Sequence, residues 1–190
     1  MCKRISIVAA LTVLSICAGE AVGAEVDEVR PDVSEIRPLL NFSTEDLVAQ
    51  YTENSSNRVG EALQSPPHRK KALELLTRAY RAAADKPDKP DERAKAITAL
   101  ADLFPDEALE LVIEAAAESS AQVRVAAVSA LAWKGLHGDA ALAALRKALQ
   151  DSNPFVVHRA LYYFEKNADP ASADRLAELV RHPPEVTAAH

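Results

Sequence analysis

Glu118-Ser119-Ser120-Ala121-Gln122-Val123 is echoed, at an offset of 33, by Asp151-Ser152-Asn153-Pro154-Phe155-Val156. The same offset pairs Ala127 with Ala160, Val128 with Leu161 and Leu131 with Phe164. Upstream, an offset of 31 lays Ala96-Ile97-Thr98-Ala99-Leu100 on Ala127-Val128-Ser129-Ala130-Leu131. A second series interleaves with the first: Leu109, Leu142 and Leu176 are spaced by 33 and 34, as are Val112, Leu145 and Leu179. Two interleaved periods of this length are the signature of stacked helix pairs, each burying its apolar face only against its neighbours. An alanine-rich bundle whose helices share a length is the plainer alternative.

Local patterning outside the repeat is helical too. Ser43-Thr44-Glu45-Asp46 offers a hydroxyl for orphan amides and carboxylates for the positive end of a helix. Leu47, Val48 and Tyr51 begin an apolar stripe, which Asn54-Ser55-Ser56-Asn57 interrupts before Val59 to Leu63. Spacings of three and four predict a helix over about 68–84, with Ala72, Leu75, Leu76, Ala79 and Tyr80 on one face. Lys86-Pro87-Asp88-Lys89-Pro90 stops it. Ala96, Ile97, Leu100 and Phe104 stripe the next helix, and Pro105 can open another. A turn around Gly135 and Gly138 follows the helix that carries Val123 to Leu131, and a last helix spans about 172–181.

Composition supports an all-α reading. Hydrophobic residues make up 48% of the 190, but aromatics only 5% and glycine five residues. Alanine and leucine, both strong helix formers, fill the difference. A β-sandwich or barrel would need more β-branched and aromatic side chains, and a disordered chain fewer apolar ones.

Glu118 through Leu131, with Val123-Arg124 inside it, resembles the short HEAT repeat. The second helix of that repeat opens Asp-x-x-x-x-Val-Arg and continues with alanines and a leucine. Asp151 through Phe164 is similar, with Val157 where arginine is expected. The resemblance spans about Arg69 to Arg181. Gly138-Asp139-Ala140-Ala141 through Ala148-Leu149 also resembles the second helix of a tetratricopeptide repeat, an alternative weakened by Val125, Ser129 and Ala132 at defining positions. The HEAT resemblance implies an α-solenoid of antiparallel helix pairs, with Arg124 reaching an acidic residue of a neighbouring turn, Glu118 or Asp151. It further implies a concave surface, lined by the second helices, that holds another protein. On that reading the outward positions are Thr98, Val125, Ser129, His158 and Tyr162, and they are the expected partner-binding residues. Trp133 is expected to pack at the core edge, with an interface anchor as the second reading. Tyr163 and Phe164 are expected to fill the core.

The segment before Glu25 reads differently. Lys3 and Arg4 precede an apolar run from Ile5 to Ile16, and small residues end at Ala24: the three-part pattern of a secretory signal peptide. The run is too short for a membrane-spanning helix. Leu14-Ser15-Ile16-Cys17 partly resembles a lipobox, but Ile16 departs from it, so membrane association is expected only if Cys17 carries lipid. Cys2 and Cys17 are the only cysteines, so cleavage would leave neither a disulfide framework nor a thiolate metal site. The expected organisation is therefore a signal peptide over 1–24, an extended lead-in over 25–42, an N-terminal helical cap over 43–67, repeats over 68–182 and a tail over 183–190. The expected location is periplasmic or secreted.

Twenty-two basic against 28 acidic residues give a net charge of −6. A nucleic-acid partner is not expected, since binding phosphates requires a strong basic face. The short run His68-Arg69-Lys70-Lys71 reads as solvated or paired, with acids around Asp85 to Glu92 available to offset it. Beyond the leader the glycines (Gly60, Gly135, Gly138) are too scattered to cradle a phosphate, and no Gly-x-Ser-x-Gly elbow exists. Histidines at 68, 137, 158, 182 and 190 lack metal-ligand spacing. Neither cofactor, metal nor catalysis is expected. A small helical enzyme, or enzyme subunit, with a site near His158 is the alternative.

Overall fold

Phase and capping signals in the sequence translate directly into helices. The computed structural model describes residues 36–83, 89–134 and 138–183. Helix α1, Thr44–Asn54, starts where Ser43 Oγ accepts the Asp46 amide, and it ends at Ser55 in the left-handed region, φ 47°. Helices α2, Asn57–Gln64, and α3, Pro66–Ala82, follow closely. Prolines open four of the helices from α3 onward: α3, α4 over Pro90–Leu103, α5 over Pro105–Ala115 and α8 over Pro154–Lys166. A first-turn proline gives up an amide that has no helical partner anyway. Helix α6 spans Ala121–Trp133, α7 Asp139–Ala148 and α9 Ala173–Arg181. No strand occurs among the described residues.

The helices stack as antiparallel pairs, α3 with α4, α5 with α6 and α7 with α8. The second helices form one continuous row in which α4 packs on α6 and α6 on α8. Helices α5 and α7 touch in the other layer, and α1 and α2 pack on α3 and α4 at the N-terminal end. The fold is therefore an all-α solenoid, as the interleaved periods predict. A single core runs through it, from Leu47 and Leu63 through Ile97, Leu100, Leu131 and Leu145 to Val156 and Leu179. Each fully buried leucine contributes about 1.5–3 kcal/mol. Alanines at the contacts, such as Ala96, Ala99, Ala127 and Ala160, are buried and let helix axes approach closely. Gly60 serves the same end: a Cβ there would stand 3.0 Å from Tyr51 Cε2 and 3.2 Å from Leu103 Cδ2.

Several expectations are corrected. Residues 36–42 of the lead-in are not extended: a turn leads into a 3-10 helix over Leu39–Asn41. The helix expected from His68 begins at Pro66, and Ala79, expected on its buried face, is exposed. Tyr163 is only half-buried, edge-on to the buried Phe164 with centroids 5.2 Å apart. The signal peptide, Cys2, Cys17 and residues 25–35 lie outside the described residues, as do Gly135, His137 and 184–190 of the tail. Gly138, with φ 134°, supplies the expected break before α7.

Candidate functional site

Arginine stitches the second helices together. Arg124 Nε and Nη2 donate to the two Asp151 carboxylate oxygens at 2.7 and 2.8 Å, while Nη1 reaches the carbonyls of Glu118 and Ser119. Of the two acids that the repeat resemblance offered, Asp151 takes the ion pair. The Glu118 carboxylate is already held by Arg93, through a fork whose longer arm is 3.1 Å. Arg93 stands to Arg124 as Ala96 stands to Ala127 in the repeat register, so one interaction recurs: the arginine near the start of one second helix clamps the acid just before the next. Tyr80 completes the first clamp, with its hydroxyl 3.2 Å from Glu118 and its ring 4.8 Å from the Arg93 guanidinium.

Electrostatics follow from these contacts. Burial alone would raise the Glu118 carboxyl, but hydrogen bonds and charge from Arg93, with the Tyr80 hydroxyl, hold it below its ordinary value. The Arg124 fork lowers Asp151 likewise. Burial, and then the charge of Glu118, push the Tyr80 hydroxyl up to about 12. Tyr51, buried beside Asp102, is also pushed up to about 12.

The five expected partner-binding residues do not form one strip. Thr98 is exposed and Ser129 half-buried; both hydroxyls back-bond to their own helices, at Ala94 O and Val125 O. They line one depression of about 360 Å³ together with Asp102, Ala126, Trp133 and Lys134. His158 and Tyr162 line a second groove, at the end of the row, with Leu161, Glu165, Leu176 and Val180. Val125 lines neither, because it is half-covered against the core. Its position explains this. Ala94, Val125 and His158 are equivalents that go from buried through half-buried to exposed along the row, as do Ala101, Ala132 and Glu165. The equivalents on α4 and α6 are covered, and those on α8, which no described second helix follows, are open.

Trp133 is the residue that sequence reasoning misplaced most. It is 47% exposed rather than packed at the core edge. Arg159 lies 4.6 Å from its ring centroid, and Tyr162 stands edge-on to it at 5.5 Å. Lys166 in turn lies over Tyr162 at 4.2 Å and donates to its hydroxyl at 2.6 Å. An amphipathic, partly desolvated aromatic of this kind is the usual anchor of a protein contact. Two members of the basic run are paired with acids outside the expected stretch. Arg69 meets Glu107 and Lys71 meets Glu45 at 2.7 Å, Asp85 to Asp88 lie outside the described residues, and His68 is buried on Thr44. Among the described residues no cluster of His, Cys, Asp and Glu could hold a metal ion, and no helix is long and apolar enough to cross a membrane.

The class defined by these stacked, clamped pairs is a short α-solenoid. Residues 118–189, from the start of the α6 repeat onward, match the family model described as HEAT repeats. The match favours the HEAT resemblance over the tetratricopeptide one. No curated protein and no solved structure matches the chain.

Proposed function

We propose that this chain is an exported, non-catalytic scaffold that holds another protein along its row of second helices. HEAT repeats generally mediate protein–protein contact, and the observation that carries the reading here is Trp133. A large ring nearly half open to solvent, gripped on one side by Arg159 and Tyr162, borders the depression lined by Thr98 and Ser129. Such a ring is held in place before the partner arrives, which lowers the ordering cost of binding. The acidic net charge favours a protein over a nucleic acid as that partner.

Affinity capture from the exported fraction, with the native chain and with Trp133→Ala side by side, tests the proposal. One protein retained by the native chain and lost from the variant supports it; identical captures sink it. A turnover abolished by His158→Ala while the partner stays bound would instead support the enzyme reading. Export is tested by the mature N-terminus: a chain beginning at Glu25 supports cleavage after Ala24, and a lipid-sized mass increment on Cys17 would mean anchorage.

A further inference from the structure

We propose that the exposed face of α8 at the end of the row binds a second copy of this chain, α8 against α8, about a twofold axis. The inference rests on a different observation from the partner reading above, with Tyr162, which stands edge-on to Trp133, common to both. Ile97 and Val128 are fully buried in α4 and α6, each of which has a following second helix packed on it, whereas their equivalent Leu161 in α8 is only half-buried. The groove beside it is lined by His158, Leu161, Tyr162 and Glu165 from α8 and by Leu176 and Val180 from α9. Val180 is 83% exposed.

The occupant follows from the order of side chains on α8. His158, Leu161, Tyr162 and Glu165 fall at i, i+3, i+4 and i+7, one stripe of the helix. His158 and Glu165 stand at its two ends, ~10.5 Å apart at 1.5 Å per residue. Both are exposed, and neither has a hydrogen-bond or ionic partner among the described residues. Turned by a twofold axis passing between Leu161 and Tyr162, the stripe meets itself antiparallel. His158 then faces Glu165 of the other copy at both ends, and Leu161 faces Tyr162 in the middle. Parallel pairing would instead set Glu165 on Glu165. The pattern is complementary to its own antiparallel copy, which an isologous contact requires. It also continues the existing row, with the second copy's α8 lying where the next second helix would lie.

Sedimentation equilibrium of the full mature chain tests this. The native chain should dimerise reversibly, and His158→Glu, which sets two carboxylates together at each end, should weaken the dimer about tenfold or more. The exchange His158→Glu with Glu165→His rebuilds the complementary pairs and should restore native affinity. Both positions are exposed, so circular dichroism should show unchanged helix content. A native chain that stays monomeric at every concentration overturns the proposal. So does a dimer indifferent to His158→Glu, or one that the double exchange fails to rescue in a folded protein.

Discussion

Arg124 holds Asp151, the acid before the following second helix, through two parallel hydrogen bonds, and both side chains are largely shielded from water. Together they tie one repeat to the next. Arg124→Ala should destabilise the chain by about 3 kcal/mol, since Asp151 is left charged and poorly solvated. Arg124→Lys should recover only part, because an ammonium cannot make the fork. Urea denaturation followed by circular dichroism measures both.

Stability should fall in acid. Glu118 and Asp151 have lowered carboxyl values in the folded chain, so the stability that they contribute is present above the unfolded-state values near pH 4 and is lost as pH falls through the folded ones. Melting temperature recorded from pH 7 to pH 2.5 should drop steeply at the low end. Glu118→Gln should lower stability at pH 7 and make the acid slope shallower.

At high pH the sign reverses. Tyr51 and Tyr80, each raised to about 12, favour the protonated phenol in the folded chain. Their stabilisation is complete below pH 10 and fades between 10 and 12. Tyr80→Phe should flatten this alkaline loss, readable by melting curves at pH 9 to 11.

Much of this was legible in the sequence, and its failures share a cause. The alternating leucine series marks the helix pairs because packing dictates one apolar stripe per helix. The arginine clamp was legible too: Arg93 and Arg124 stand in the same register as Ala96 and Ala127, although the upstream alignment, anchored on Ala96 to Leu100, stops short of them. The strip of outward positions is interrupted at Val125, which is half-buried because a second helix inside the row is covered on several sides, and periodicity marks an exposed side without identifying the neighbour beyond it. Trp133 ends α6, where the apolar stripe looks the same whether the ring turns into the core or lies along Arg159. That choice is made by a cation contributed from α8.

Gly60→Ala should destabilise by about 1–3 kcal/mol, because the added methyl meets Tyr51 and Leu103 inside ordinary contact distance and three helices must shift. The expected helix-propensity gain of alanine over glycine is smaller. Thermal unfolding of the variant measures the balance; a higher melting temperature would show that α2 slides freely.

Trp133→Ala should cost the fold less than a core truncation, below about 2 kcal/mol, as nearly half of the ring already sees water. Chemical denaturation of the variant checks that a loss of capture reflects a lost contact and not a lost fold.

Helix α4 buries eight of its residues, whereas α9 fully buries Leu179 alone. A row tied only neighbour to neighbour has no long-range lock, so thermal energy peels it from its loosest hairpin inward. Amide deuteration should therefore advance along the polypeptide as a front, fastest beyond Pro170 and slowest around Ile97, and a protease should trim the last turns long before it cuts the middle.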